Sequence, residues 1–350
     1  MQTRPMVGWE MQPAQPRIRL SPAPGTITPR AATPSPLSLQ NAMPASGTES
    51  DRAGDLIRRL FEDGSVVVLT GAGLSTSSGI PDYRDGDGQW KRGKPIDHHD
   101  FLRSESTRRR YWARSFVGWP TIGLATPSRG HHALAQLERL GRIVLIITQN
   151  VDGLHQRAGS RSVLELHGGL ERVICLYCHR TFQRASVQTW MSEANPAFTS
   201  DAALVAPDGD AQIAERFHAD FRIPACPSCG GMLKPDVVFF GDSVPKDRVK
   251  AGMDAIVAAR GLVVVGSSLM VYSGFRFADH ANRLGKPVMA INLGKTRADR
   301  LLCAKVQEDC DEFLHMLQME GAFGDDDRPV FGSPNVDSGP GRFALAPKVS

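Results

Sequence analysis

Residues 146–155 read Ile146-Ile147-Thr148-Gln149-Asn150-Val151-Asp152-Gly153-Leu154-His155, and the apolar run that feeds them starts at Ile143. An unbroken apolar run of this length is the pattern of a strand buried on both faces. It stops abruptly at side chains that can all hydrogen-bond a ligand. In open α/β sheets, ligands bind in the crevice outside the carboxyl ends of the strands. Downstream, Glu165-Leu166-His167-Gly168 follows a second short apolar run and offers a titratable imidazole beside a glycine.

Upstream, Leu56, Ile57, Leu60 and Phe61 fall at helical spacing, with Gly64 placed to end the helix. Val66 to Thr70 then reads as another buried strand and runs into Gly71-Ala72-Gly73-Leu74-Ser75. Strand, glycine turn and helix form the dinucleotide-binding arrangement, in which glycines admit phosphate to the backbone and helix-end N–H groups meet its charge. Thr76 stands where the usual G-x-G-x-x-G pattern needs its third glycine. No strand-like run precedes Asp97 or Asp100, so the acidic ribose ligand of an ordinary nicotinamide dehydrogenase is missing. The stretch from Asp85 to Lys94 reads as a lid, and Phe101 to Trp119 as one helix carrying Tyr111 and Arg114.

After the middle of the chain the α/β pattern returns. Strands are expected at Val237 to Phe240, Leu262 to Val265 and Pro287 to Ile291. Helices are expected near Lys246 to Arg260, Gly274 to Leu284 and Cys310 to Leu317. Alternating strands and helices indicate a parallel sheet with right-handed crossovers. Three strand ends, at Gly71, Gly266-Ser267-Ser268 and Asn292-Leu293-Gly294, would then share one edge.

Between the two halves lie Cys175-Leu176-Tyr177-Cys178 and Cys226-Pro227-Ser228-Cys229. Two C-x-x-C knuckles supply four thiolates, which suit tetrahedral structural zinc and leave no ligand position open for catalysis. The long stretch between the pairs must form an inserted module. Cys303 and Cys310 have no partner spacing and read as buried small hydrophobes. The fold class expected is therefore α/β, a Rossmann-type parallel sheet domain with a smaller inserted zinc-ribbon module.

The chain has 350 residues, of which 41% are hydrophobic and 22% charged, as in ordinary globular proteins. A net charge of +4 is too weak to argue for nucleic-acid or membrane partners. No apolar run approaches the roughly 20 residues of a membrane span, and no secretory signal opens the chain. Residues 1–49 are rich in Pro, Ala, Ser and Thr and read as disordered, although Arg4, Arg17, Arg19 and Arg30 also suit a transit peptide. Residues 50–320 form the folded unit, with the Rossmann-type part at about 50–170 and 232–320 and the zinc module at about 171–231. Residues 321–350 read as a loose tail. Cytoplasm is the expected compartment, with the mitochondrial matrix as alternative, and a monomer is the expected state.

Taken together, these stretches resemble the sirtuins, the NAD-dependent protein deacylases. The residues that carry the resemblance are Gly71 to Ser75, Gly79-Ile80-Pro81-Asp82-Tyr83-Arg84, Thr148 to Asp152, Leu166-His167-Gly168, the four paired cysteines, Gly266 to Ser268 and Asn292. The resemblance covers about Ser50 to Leu317. Within the family the chain is most similar to the class II branch that includes sirtuin-4, through 110–114, Ala206-Pro207-Asp208-Gly209-Asp210 and 234–242.

The resemblance implies that NAD and an acyl-lysine protein segment meet between the two parts. The acyl oxygen attacks the ribose carbon bearing nicotinamide, nicotinamide leaves, an alkylimidate forms, and the acyl group ends on ADP-ribose. It further implies His167 as general base, with Asn150 and Asp152 orienting ribose and nicotinamide. Ile80, Pro81 and Asp82 would wall the nicotinamide pocket. The NAD contacts would be completed by Gly71, Ala72, Gly73, Ser75, Tyr83, Arg84, Gln149, Gly266, Ser267, Ser268, Asn292, Leu293, Gly294 and the Cys310 backbone. Val237, Phe239 and Gly241 would receive the acyl-lysine. Tyr111 and Arg114 match a pair that binds acidic acyl groups in related enzymes, unless Arg114 pairs internally. Two other readings stay open: a protein ADP-ribosyltransferase on the same scaffold, and a non-catalytic module that binds zinc and nucleotide.

Overall fold

The computed structural model describes residues 48–91, 95–198, 206–211 and 219–319. The expected tail at 321–350, nearly all of the N-terminal segment, and the end of the lid at Lys94 lie outside the described residues. Helix α1 (Glu49–Asp63) starts inside the segment expected to be disordered, because Thr48 and Asp51 cap each other reciprocally through side chain and backbone. Gly64 closes it at φ 75.

Strand β1 (Val66–Thr70) is followed by a helix, Ala72–Ser78, which takes the tighter 3-10 form. Helices α2 (His98–Arg103) and α3 (Glu105–Leu124) replace the single expected helix. Ser104 breaks it, in extended backbone, and its hydroxyl caps α3 by accepting from Thr107 N–H at 3.1 Å. Next come α4 (Arg129–Arg139), β2 (Ile143–Thr148), α5 (Leu154–Arg157) and β3 (Val163–Glu165). Strands β4 (Gly168–Cys175) and β5 (Thr181–Gln183), helix α6 (Arg184–Ala194) and strand β6 (Leu233–Val237) follow. The chain ends with α7 (Lys246–Ala258), β7 (Gly261–Val265), α8 (Tyr272–Arg283), β8 (Val288–Ile291), β9 (Ala304–Val306) and α9 (Cys310–Met319).

Six strands form one parallel sheet in the order β3-β2-β1-β7-β8-β9. Its central strands are buried on both sides. Val66 and Val68 face a core with Ile57, Phe61, Leu134 and Leu314, while Val67 and Leu69 face one with Ile256, Phe277 and Ala281. That two-sided burial is why β1 and β7 carry no polar alternation. The register pairs Thr70 with both Thr148 and Val265, and Val265 with Ile291. Four strands therefore end together, and the residues after them converge on one edge.

A second, antiparallel sheet has the order β5-β4-β6. The strand expected at Val237 to Phe240 begins earlier and ends at Val237, because Lys234 and Pro235 pair with Ile174 and Val173 of β4. An apolar cluster joins this sheet to α2 and α3, with Phe101, Tyr111 and Trp112 packed among Val173, Cys175, Phe221 and Leu233.

Two buried imidazoles lie under the parallel sheet's polar edge. His155 Nε2 meets Thr70 Oγ1 at 2.9 Å, and the His155 and His131 rings meet edge-on at 4.9 Å. Ser128 N–H donates to His131 Nδ1, which fixes a neutral ring. Burial pushes His131 down to about 3 and His155 well below the usual value of 6.5. The unfolded chain therefore takes up these protons first as pH falls through 6.5, and folded stability drops from there toward pH 3. Each ring contributes about 1.4 kcal/mol per pH unit within that window. Urea unfolding between pH 7.5 and 4.5 is expected to show a shallower loss in His131→Asn than in the wild type. Equal slopes would remove the pair as the cause.

Candidate active site

The polar edge of the parallel sheet opens into a cavity of about 790 Å³, within the range of small-molecule sites. Every cavity residue expected from the sequence lines it except two: Pro81 and Arg114. Ile80 and Asp82, on either side of Pro81, do line it.

The glycine turn is shaped by close approach. A methyl on Gly71 would lie 2.7 Å from Ser267 Cβ, and one on Gly73 would lie 2.9 Å from Gly266 Cα. Gly266 itself sits at φ 58, with Leu74 N 2.5 Å from any Cβ it might carry. The loop after β1 and the loop after β7 are thus pressed together, and only glycines permit it. Bare backbone is left facing the cavity, which suits a ligand with phosphates.

The residues after β2 are held by one hydrogen-bond network. Asn150 Nδ2 donates to Gly71 O and Ser75 Oγ, both at 3.0 Å. Ser75 Oγ donates to Asp152 Oδ2 at 2.8 Å, and Leu154 N–H donates to Asp152 Oδ1 at 2.9 Å. Gln149 Nε2 donates to Ser267 Oγ at 2.7 Å. Burial raises the Asp152 carboxyl, against the Leu154 and Ser75 donors that favour its ionised form. Both Asp152 oxygens are engaged within the protein, so it braces Ser75 and the start of α5. Asn150 spends its amide nitrogen on the same frame, which leaves its oxygen as the atom to present.

His167 sits between β3 and β4. Its Nδ1 lies 3.0 Å from Gln149 O and its Nε2 2.8 Å from Ser273 Oγ. A carbonyl can only accept, so Nδ1 carries the proton and Nε2 has the free lone pair. Burial lowers the His167 pKa, the Gln149 carbonyl works against that, and Arg248 and Arg276 add to the lowering. Nε2 is therefore a neutral acceptor at pH 7, already aimed at a hydroxyl. Ser273 has no motif around it and was not anticipated; only its place at the start of α8 brings it to His167.

Next to His167 the backbone turns through Gly168 at φ 83, where a Cβ would meet Asp236 O at 2.0 Å. Val238 N–H donates to His167 O at 2.8 Å. Val237, Phe239 and Gly241 line the cavity from that segment, and Phe239 packs on Tyr111 with ring centroids 5.2 Å apart. Arg114 does not join Tyr111 at the cavity. Its Nε lies 2.6 Å from Asp210 Oδ1 and donates to Ala211 O at 2.8 Å. The arginine is thus paired internally through Nε, and it does not line the cavity.

Cys175, Cys178, Cys226 and Cys229 bring their sulfurs within 4.8 Å of one another. Cys175 and Cys229 are 3.5 Å apart, Cys178 and Cys226 3.8 Å. Zinc–sulfur bonds of about 2.3 Å in a tetrahedron place sulfurs roughly 3.8 Å apart, so the set fits one zinc ion. All four thiols are taken up in that arrangement, which makes the site structural.

Fold and site define an α/β protein with a nucleotide-type cavity, a poised histidine and a four-cysteine metal module. The Sir2 family signature matches residues 71–273. The chain is 53% identical over 253 residues to an NAD-dependent protein deacetylase of Xanthomonas campestris pv. campestris (strain 8004), covering 72% of this chain and 86% of that protein. It is 46% identical over 261 residues to the NAD-dependent protein deacylase Sirt4 of Drosophila melanogaster, covering 74% and 84%. A solved complex described as Sir2-p53 peptide-NAD+ superposes with a TM-score of 0.61 at 31% identity, covering 76% of this chain and 97% of that one. The chain belongs to the Sir2 family, the sirtuins.

Proposed function

We propose that this chain is an NAD-dependent protein-lysine deacylase, which transfers the acyl group from lysine to ADP-ribose and releases nicotinamide. The observation that carries this is His167: a neutral imidazole with Nε2 accepting from a hydroxyl, in the same cavity as the Asn150 and Asp152 frame. NAD supplies the electrophilic ribose carbon. The Gly71 to Ser75 turn, Gly266 to Ser268 and Asn292 to Gly294 hold the nucleotide along the sheet edge. Asn150 presents its amide oxygen toward ribose and nicotinamide while Asp152 fixes its position, so that a weak nucleophile is placed tightly. Ile80 and Asp82 wall that pocket, and Val237, Phe239 and Gly241 receive the acyl-lysine. His167 Nε2 takes the proton from a ribose hydroxyl, displacing Ser273 as its partner.

The parallel sheet (about 50–170 and 232–320) is the nucleotide part on this reading, and 171–231 the zinc module, with α2 and α3 packed against it. The protein would act as a monomer in the cytoplasm on acyl-lysine segments of proteins, the reducing compartment being supported by four metal-suited thiols. No helix among the described residues is long and apolar enough to cross a membrane.

Mass spectrometry of acetyl-, lipoyl-, glutaryl- and methylglutaryl-lysine peptides incubated with NAD is expected to show acyl-ADP-ribose from at least one. Its absence from all of them would sink the deacylase reading. Label from NAD retained on protein would point to ADP-ribosyl transfer instead.

A further inference from the structure

Among the described residues, the lysines and arginines that line the cavity are Arg84, Lys91, Lys246, Arg276 and Lys295. Those of the lid side are engaged within the protein. Lys91 pairs with Asp82, and Lys295 Nζ lies 2.8 Å from Asp87 Oδ1. Arg84 donates to Gly88 O at 2.7 Å and lies 4.0 Å from the Trp90 ring centroid. Lys246 and Arg276 differ: among the described residues neither has a carboxylate partner. Asp279, three residues after Arg276, pairs with Arg283 at 2.8 Å instead. Arg276 Nε is buried and has no hydrogen-bond partner among the described residues.

Both residues belong to the part of the cavity that holds the base. Arg276 follows Tyr272 by four residues and Ser273 by three in α8, so the three share one helix face, with Cβ atoms about 5–6 Å apart. Ser273 Oγ meets His167 Nε2 at 2.8 Å, and the Arg276 guanidinium lies 5.2 Å from the exposed Tyr272 ring. Lys246 opens α7 and is exposed, as are Gly241, Asp242 and Ser243 before it. These exposed lining residues mark an opening of the cavity carried by the starts of α7 and α8. Asp242 is the carboxylate that these stretches add to the lining, and it is turned toward α2. Its Oδ2 lies 3.4 Å from His98 Nδ1, and its Oδ1 accepts from Ser243 N–H at 2.7 Å. Asp247 is exposed beside Lys246 but does not line the cavity. Two cations without a counter-ion therefore stand at this opening, one of them a guanidinium whose fork suits a carboxylate.

We infer that Lys246 and Arg276 receive an acidic side chain flanking the acyl-lysine, so that the substrate class is protein segments with Glu or Asp within two residues of the modified lysine. The inference rests on the deacylase reading for the identity of the segment. Residues of an extended segment advance by about 3.3 Å each, so the side chains within two positions of a lysine entering here fall over this opening.

The test compares three fluorescein-labelled acetyl-lysine peptides that differ only in the two residues on each side of the lysine, occupied by Glu, Gln or Lys. Binding is read by fluorescence polarisation without NAD, and turnover by release of acetyl-ADP-ribose with NAD. The Glu peptide is expected to bind about fivefold more tightly than the Gln peptide, and the Lys peptide more weakly than both. In turnover the preference is expected in KM, with kcat alike for the three. The gap between Glu and Gln peptides is expected to vanish in the protein carrying both Lys246→Gln and Arg276→Gln. If that protein does not fold, Lys246→Gln alone, at an exposed residue, is expected to shrink the gap about twofold. Equal binding of the three peptides, binding of none, tighter binding of the Lys peptide, or a gap undiminished in the variants overturns the inference. Turnover of all three without preference overturns it while keeping the deacylase reading. A Glu preference in binding without any turnover supports it while removing that reading.

Discussion

His167→Ala is expected to lower kcat/KM for acyl-lysine peptide by about 10³-fold, within the range of about 10²–10⁴ for a positioned general base. Binding of NAD should survive, because the frame proposed to hold it, the glycine turn with Gln149 and Asn150, is bonded together without the imidazole side chain. His167 Nδ1 does touch Gln149 O, so a modest shift in NAD affinity is compatible with this account. The pH profile carries a sharper signature. The base acts as the neutral ring, and burial lowers the His167 pKa, so the ring stays neutral further into acid than an exposed histidine would. Activity should therefore persist below pH 6.5 and then fall with a single ionisation. An acid limb centred above 6.5, or a variant retaining a tenth of wild-type activity, would falsify the assignment.

Removal of the metal has the second large expected effect. Structural zinc sites in small peptides contribute about 10–16 kcal/mol of binding free energy that doubles as folding free energy. Cys175→Ser removes a fully buried ligand from a cluster that includes Tyr111, Trp112, Val173 and Leu233. The expected result is less than one metal ion per ten chains by elemental analysis, against one per chain in the wild type. A drop in Tm of more than 10 °C is expected alongside. Activity should be lost too, although no cysteine of the set lines the cavity, because the Tyr111 wall shares its core with Cys175. Full activity in a metal-free Cys175→Ser protein would show that the module does not support the site.

Much of this was legible in the chain because the relevant signals are local. β1, β7 and β8 sit inside apolar runs that two-sided burial produces, β2 does so from Ile146 on although Val144 is exposed, and paired knuckles announce a metal module whatever lies between them. A helix after Gly71 was legible, but its 3-10 form was not. Its shape follows from contact with Gly266, a residue far along the chain. The position of β6 was also hidden, since Lys234, Pro235 and Asp236 look unlike a strand; pairing with β4 and a lysine buried over Phe239 give them that conformation. Arg114 shows the same limit at the site. Its spacing from Tyr111 can be read directly, but its partner Asp210 comes from another segment, and that partner decides what the guanidinium can do.

The hydrogen bond from Val238 N–H to His167 O, beside the tight turn at Gly168, ties the imidazole-bearing residue to the cavity wall at Val237 to Gly241 by main chain alone. No side chain mediates the link. The base and this stretch of the cavity wall are therefore positioned by one backbone joint. Alignment of the imidazole with that wall is in that sense inherited from the joint between the sheets, where β3 of one hands over to β4 of the other.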